Sequence, residues 1–522
     1  MNSTTQINYF DPSMNYKEIV TFGQLKAAGY QPKSVKEEIR SNLVQLIREK
    51  KSPFRSVLGY EDTVIPDVER ALLSRHNILF LGLRGQAKTR MAREMIHLLD
   101  EWIPVIAGSE INDDPFAPIS LYSRELLEEK GDDTPITWLH RSERYGEKLA
   151  TPDVSVADLV GDIDPIKAAN MRLSFADEKA LHYGIIPRSN RGIFVINELP
   201  DLQARIQVSL FNILQEGDIQ IRGFKLRMPL DLLFVFTANP EDYTNRGSIV
   251  TPLKDRIESQ IITHYPKSVE LSQAITQQEA EVLPEQEQMV EMPDLCRMLI
   301  EQVAMEARKS EYVDQKSGVS ARLTISAYEN LVSTAERRAL RHGAQRTMTR
   351  ICDLIGIIPS ITGKIELVYE GEQEGPLNVA HRLMGQAIRT TFLKYFPDPQ
   401  SFKGKAGRDP KQAKPRVNPY QSVIDWFGGG HELITLQDDD DMAYHNRLFQ
   451  VDGLYSAVKQ FYPNADNDQA ALLMEFMLHG LSEFSLISKK GVENGGYSFG
   501  DILGSMFNMS SMTDEDDDDD FS

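Results

Sequence analysis

The sequence predicts an α/β fold, a parallel sheet with helices on both faces, followed by a region that is helical almost throughout. Three observations predict it. Between about residues 53 and 266, short apolar runs such as Asn77-Ile-Leu-Phe-Leu, Gly192-Ile-Phe-Val-Ile and Asp231-Leu-Leu-Phe-Val-Phe alternate with amphipathic stretches. A run that is apolar at every position suits a strand buried on both faces, as in a parallel sheet. Beyond about Ser268 the strands stop, and apolar residues recur three and four apart, the period of a helix face.

Taken in order, residues 1–52 read as a polar helical extension, in which Leu43, Leu46 and Ile47 share one face. Residues 53–267 form the α/β domain. Its expected elements are the strand at Asn77–Leu81, a helix over Arg90–Asp100, a strand at Pro104-Val-Ile-Ala, the strand from Gly192, a helix over Ala204–Glu216 and the strand from Asp231. Residues 268–396 read as a helical subdomain with helices over Glu291–Lys309, Thr324–His342 and Asn378–Lys394. Residues 397–419, rich in Pro, Gly and Lys, read as a flexible basic linker. Residues 420–510 are expected to form a small helical domain, with helices over Tyr455–Phe461 and Asp468–Phe484 and a turn at Gly428-Gly-Gly. The acidic tail, 511–522, is expected to stay disordered because its like charges repel.

With 522 residues the chain has room for two to four domains at about 150 residues each. Its formal charge of −20 opposes phosphate backbones and anionic lipid, which argues against nucleic acid and membrane surfaces as partners. Two acidic runs, Asp438–Asp441 and Asp514–Asp520, carry part of that excess, so a local basic site remains compatible with it. The two cysteines, Cys296 and Cys352, supply neither a disulfide framework nor zinc spacing. The opening residues lack a signal-peptide layout and every apolar run is far shorter than a membrane span, so a soluble cytoplasmic protein is expected.

The chemistry concentrates at strand ends. After Asn77–Leu81 comes Gly82-Leu83-Arg84-Gly85-Gln86-Ala87-Lys88-Thr89, and then a helix-forming stretch. Strand, glycine loop, Lys-Thr and helix form a phosphate cradle: curled backbone N–H groups meet one anion and the helix N-terminus adds partial positive charge. Lys88 would reach the outer phosphates, and the Thr89 hydroxyl would ligate Mg²⁺. The glycine usual before the lysine is replaced by Ala87, which is comfortable there only at negative φ.

A second strand ends Ile196-Asn197-Glu198. Glu198 is placed to polarise water for in-line attack on a terminal phosphoryl group. Asn197 stands where an Asp would accept from metal-bound water. A charge lost at about 4 Å is worth about 1 kcal/mol in water and about 4 at an effective dielectric near 20. Weakened metal affinity, relieved by Asn197→Asp, is therefore expected. The third strand ends Thr237-Ala238-Asn239-Pro240, where the Asn239 amide can sense the terminal phosphate.

From Phe54 to Gly343 these strings, in this order, resemble the AAA+ ATPases of the MoxR and magnesium-chelatase I-subunit clade. The resemblance rests on the GxxGxAKT loop, Ile196-Asn-Glu-Leu, Phe236-Thr-Ala-Asn-Pro-Glu-Asp and Thr251-Pro-Leu-Lys-Asp-Arg-Ile. It implies a P-loop AAA+ module with an α-helical lid, a chelatase-like insert over 160–190, and a hairpin from Gly217 whose alternating Ile219/Ile221 and Phe224/Leu226 already read as one. It also implies roles. Arg256 matches an arginine finger entering a neighbouring subunit's site, and Arg246 is a second candidate. Arg322 matches the lid sensor. Val57-Leu-Gly59-Tyr60 matches the segment that packs against adenine.

The implied cofactors are ATP and Mg²⁺, and the implied assembly is a homo-oligomeric ring, a hexamer, that remodels a protein carrying a von Willebrand factor A domain. A trans arginine can be worth roughly 10³–10⁵ in rate. Two alternatives stand beside this reading: a genuine magnesium-chelatase ATPase subunit, and an ATP-gated scaffold with little turnover, the latter resting on Asn197.

Overall fold

The structure is a computed structural model that describes residues 18–171, 178–220, 227–240, 248–402, 418–492 and 495–502. Phe175, the tip of the Gly217 hairpin, Arg246, most of the basic linker and the acidic tail lie outside the described residues. The chain divides into two compact units, Met1–Tyr265 and Pro266–Ser522.

The first unit is built on five parallel strands in the order β11-β1-β10-β7-β4, where β1 is Ile78–Leu81, β4 Tyr145–Leu149, β7 Gly192–Asn197, β10 Leu232–Ala238 and β11 Ser259–Ile262. Side-chain alternation splits the apolar strands between two cores. Leu79, Phe194, Ile196, Phe234 and Phe236 face one cluster with Leu199, Ile206 and Leu253. Ile78, Phe80, Ile193, Val195, Leu233 and Val235 face another with Met91, Ala92 and Met95. Strands β7 and β10 are buried at every position. At about 1.5–3 kcal/mol per buried large apolar side chain, these two strands hold the unit's centre in place. The sheet therefore has helices on both faces, as the apolar runs require.

Two elements depart from the expected arrangement. The strand expected at 104–107 forms as β2, Trp102–Ile106, but pairs antiparallel with β3, Ile136–His140, in a separate two-stranded sheet. The place beside β7 belongs to β4, whose Tyr-Gly-Glu-Lys-Leu composition hides it from an apolar pattern. The expected helix over 204–216 forms as two, Ala204–Ser209 and Phe211–Glu216.

The N-terminal helix Val35–Arg48 is not a free preface. Its Val35, Ile39 and Leu43 belong to the same core as β1. Glu38 makes a fully buried, two-pronged ion pair with Arg144 at 2.7 Å, and the Asp231 carboxylate caps the helix by accepting from Val35 N at 2.8 Å. Between residues 160 and 190, β5 (Gly161–Ile163) and β6 (Leu181–Tyr183) pair antiparallel; so do β8 (Asp218–Gln220) and β9 (Arg227–Pro229) at the base of the Gly217 hairpin.

In the second unit the helices Asp294–Ala307, Arg322–His342, Pro376–Tyr395, Leu454–Phe461 and Asn467–Glu483 share one continuous core. Residues expected in a lid and residues expected in a separate C-terminal domain thus pack together. Phe392 illustrates this, with Phe396, Tyr420, Phe476 and Phe484 ringed around it at 5.2–6.1 Å. The chain reaches the basic segment at Phe402 and returns at Tyr420, and those two rings meet edge to face at 6.1 Å. Besides a short parallel pair, β12 (Val290–Glu291) with β13 (Thr347–Met348), this unit holds an antiparallel sheet absent from the sequence expectation. Its order is β14 (Leu433–Leu436), β16 (Gly496–Gly500), β15 (Ser488–Val492). Among the described residues no helix is long and apolar enough to cross a membrane.

Candidate functional site

The parallel register of β10, β1 and β7 brings the ends of three strands to one edge of the sheet. The backbone turns there through Gly82 to Ala87 into the helix Lys88–Glu94. Gly85 has φ +72° and Ala87 φ +55°, with Gln86 between them at negative φ. Such alternation turns successive amides inward, the concavity that suits an anion. Gly82 must lack a side chain: a Cβ would fall 1.9 Å from Thr263 Oγ1 and 2.3 Å from Gln86 Oε1. Ala87 does not meet the condition of negative φ. It occupies the left-handed region, where an L side chain costs roughly 1–2 kcal/mol.

From the loop a chain of hydrogen bonds crosses the strand ends. The Lys88 ammonium, buried, donates to the carbonyls of Gly82 and Leu83 and to Asn239 Oδ1 at 2.7 Å. Asn239 Nδ2 in turn donates to Glu198 Oε2 at 2.9 Å. Glu198 stands just past β7 with φ +53°, and its N–H donates to Thr237 Oγ1 at 3.1 Å. Three residues named from three separate strings therefore form one connected array.

A second array runs beside it. Thr89 Oγ1 donates to Asn197 Oδ1 at 3.3 Å, and Thr237 Oγ1 donates to the same oxygen at 3.1 Å. Asn197 Nδ2 donates to Glu147 Oε1 at 2.6 Å. Glu147 also accepts from Arg93 at 3.0 and 3.1 Å and from the Tyr145 hydroxyl at 3.1 Å. Burial alone would raise the Glu147 carboxyl, but the hydrogen bonds from Arg93, Tyr145 and Asn197 prevail and hold it below the usual glutamate range.

A family model for the sigma-54 interaction domain matches residues 170–262, which include β7, β10 and β11. The magnesium-chelatase 38 kDa subunit of Cereibacter sphaeroides is 25% identical over 236 residues, covering 44% of this chain and 64% of the relative. The subunit of the same name from Rhodobacter capsulatus is 25% identical over 222 residues, covering 42% and 57%. The match thus spans less than two thirds of either relative's own length. Among solved structures, the complex between the BchI and BchD subunits of magnesium chelatase aligns at 20% identity with a TM-score of 0.32, over 62% of this chain and 98% of that one. Over these segments the chain is similar to the sigma-54 interaction domain and to the magnesium-chelatase 38 kDa subunits.

In the first unit Tyr60 serves as a strut. Its ring is buried, and its hydroxyl lies 2.9 Å from the Gln86 carbonyl and 2.8 Å from that of His264, behind the loop. Burial pushes that hydroxyl up to about 12, so it stays neutral. Gly59 precedes it at φ +82° and remains partly exposed. Gln86 is fixed by Thr263 Oγ1 at 2.7 Å, and the Arg84 carbonyl accepts from the Tyr265 hydroxyl at 3.0 Å.

Arg256 does not join either array. It follows the helix Thr251–Asp255, donates to Gln215 Oε1 and the Pro252 carbonyl, and lies 4.7 Å over the Phe211 ring. Arg322 opens a helix of the second unit as an exposed residue. Arg246 lies outside the described residues.

Sequence reasoning missed Thr237 and Glu147. Thr237 sits within the quoted Phe-Thr-Ala-Asn-Pro string, so a lone hydroxyl in an apolar strand was its available signal. Glu147 gave none, because only strand pairing shows that β4 runs beside Asn197.

Proposed function

We propose that the protein binds ATP, hydrolyses it to ADP and phosphate, and uses the cycle to remodel or activate a partner protein from within a homo-oligomeric ring. The Lys88–Asn239–Glu198 array carries this reading, because it gathers a cation, a neutral sensor and a carboxylate base beside an anion-shaped loop. Lys88 exchanges its loop carbonyls for the outer phosphates, and the Gly82–Thr89 backbone holds the rest of the chain of phosphates. Glu198 accepts the proton of the attacking water as its oxygen bonds to the terminal phosphorus and ADP departs. Asn239 orients both the base and the phosphoryl group.

The donor set near Thr89 fits Mg²⁺, since Thr89 Oγ1 and Asn197 Oδ1 are hard oxygens. Among the described residues no group of three His, Cys, Asp or Glu is arranged to hold a metal, in keeping with an ion held largely by phosphate oxygens. When bound, the ion neutralises phosphate charge.

Arg256 supports assembly as part of the cycle. It stands apart from the array of its own chain, as a finger supplied to a neighbour would, and Arg322 is assigned the lid-sensor role. A von Willebrand factor A domain protein is the proposed client, on the strength of the clade resemblance. The names of the two curated relatives favour a chelatase subunit as the second reading. Metal insertion into a porphyrin with partner subunits tests that reading.

Phosphate release by the wild type against Glu198→Gln tests hydrolysis. The variant is expected to retain labelled ATP while turnover falls at least about 100-fold. Equal, near-zero release by both would leave the ATP-gated scaffold instead.

A further inference from the structure

We infer that Glu147 is a positioning residue for the metal-facing position, supplying from the neighbouring strand the negative charge that Asn197 lacks. The inference rests on the nucleotide reading above and extends it to a residue that no motif contains.

The geometry is specific in direction. An amide side chain can present either its oxygen or its NH₂ group to a neighbour. At Asn197 the choice is made from both sides: two hydroxyls, Thr89 Oγ1 and Thr237 Oγ1, donate to Oδ1, and Glu147 Oε1 receives Nδ2 at 2.6 Å. A carboxylate cannot accept from an amide oxygen, so Glu147 enforces the orientation that turns Oδ1 toward Thr89. It also polarises the amide, drawing electron density onto that oxygen. The ion pair with Arg93 and the hydrogen bond from Tyr145 hold the carboxylate in place. Charge and orientation thus reach the Thr89 side through one intervening amide, in the manner of outer-shell partners whose loss costs about 10- to 100-fold in metal affinity.

This changes what a carboxylate at position 197 would do. Its oxygen would replace Nδ2 against Glu147 Oε1, setting two negative groups in contact without a shared donor. A tighter metal site from Asn197→Asp alone, the natural expectation from sequence, is therefore not expected. Moving the charge instead of adding one should work: in Glu147→Gln with Asn197→Asp, the Gln amide donates to the new carboxylate and the pair keeps a single negative charge.

The test titrates Mg²⁺ into each purified full-length protein with a fluorescent, non-hydrolysable ATP analogue, reading analogue binding rather than turnover, with the melting temperature of each protein measured alongside. Glu147→Gln is expected to raise the Mg²⁺ concentration for half-maximal binding about 10-fold or more. Asn197→Asp alone is expected to give no tightening, and the double variant to return to within about threefold of wild type. A single variant that melts early but recovers in the double variant also supports the charge transposition. Overturning results are a wild-type Mg²⁺ dependence in Glu147→Gln, a double variant no better than Glu147→Gln, or Asn197→Asp alone tightening Mg²⁺ as much as the double variant. Failure of the wild type to bind the analogue at any Mg²⁺ level removes the nucleotide reading itself; a normal wild type with an unshifted Glu147→Gln removes this inference alone.

Discussion

Asn239 donates its side-chain amide to the Glu198 carboxylate at 2.9 Å while its own oxygen receives the Lys88 ammonium. The proposed base and the proposed phosphate-reaching cation are therefore coupled through one neutral residue. Asn239→Ala is expected to lower phosphate release about 100-fold, because both partners lose their orientation. Affinity for a labelled ATP analogue should change less than about tenfold, since the loop and Lys88 remain. Equal losses in binding and turnover would show that Asn239 shapes the pocket rather than the chemistry.

Ala87 stands in the left-handed region at φ +55°. Ala87→Gly removes roughly 1–2 kcal/mol of backbone strain and adds about 0.5–1 kcal/mol of unfolded-state entropy. A net gain of up to about 1.5 kcal/mol is expected, read as a rise of a few degrees in the first unit's thermal transition. A lowered transition would mean that the alanine methyl makes contacts worth more than the strain.

Asp231 is half-buried, and desolvation there outweighs the Val35 N–H and the nearby Arg191, raising its carboxyl to about 6 from 3.8. A raised folded-state pKa means the native form holds the proton more tightly than the unfolded chain. Stability from this group is thus complete below about pH 4 and declines as pH rises through about 6. The loss amounts to about 3 kcal/mol at neutral pH. Asp231→Asn keeps an acceptor for Val35 N without ionising. Denaturant melts of the variant should lose that decline between pH 4 and 6, with higher stability at pH 7; an unchanged pH profile would contradict the assignment.

His479 lies fully buried, with Tyr497 and Phe499 rings edge-on at 4.8 and 5.0 Å, and neither ring nitrogen has a hydrogen-bond partner among the described residues. Burial, reinforced by the Lys489 charge, keeps the imidazole well below its usual range. The unfolded chain takes up the proton first, so this residue subtracts stability as pH falls below about 6.5. His479→Leu removes two unsatisfied buried polar atoms, each costing about 1–3 kcal/mol. It is expected to raise stability at pH 7 and to blunt acid unfolding between pH 5 and 7. Loss of stability at both pH values would mean that the imidazole's shape matters more than its polarity.

The sheet's centre was legible because β1, β7 and β10 are buried on both faces, and a doubly buried strand must be apolar throughout. The strand-end motifs were legible for a related reason: polar residues that close an apolar run have few places to go. Strand β4 was not, since an edge strand carrying Glu147 and Lys148 alternates weakly and resembles a loop. Nor could residue identity reveal the sign of φ at Ala87, which is set by how the loop closes between β1 and its helix. The pairing of β2 with β3 depends on contacts thirty to thirty-eight residues apart along the chain, beyond the reach of local periodicity. In the second unit, half-polar strands such as Ser488–Val492 escaped the same apolar criterion.

Phe402 and Tyr420 touch, so the two described ends that flank residues 403–417 are held side by side. Lengthening a tether between fixed posts costs only about 0.6 kcal/mol per doubling. A fluorescent protein spliced between residues 409 and 410, between these two fixed posts, is therefore expected to leave the packed aromatic ring around Phe392 undisturbed.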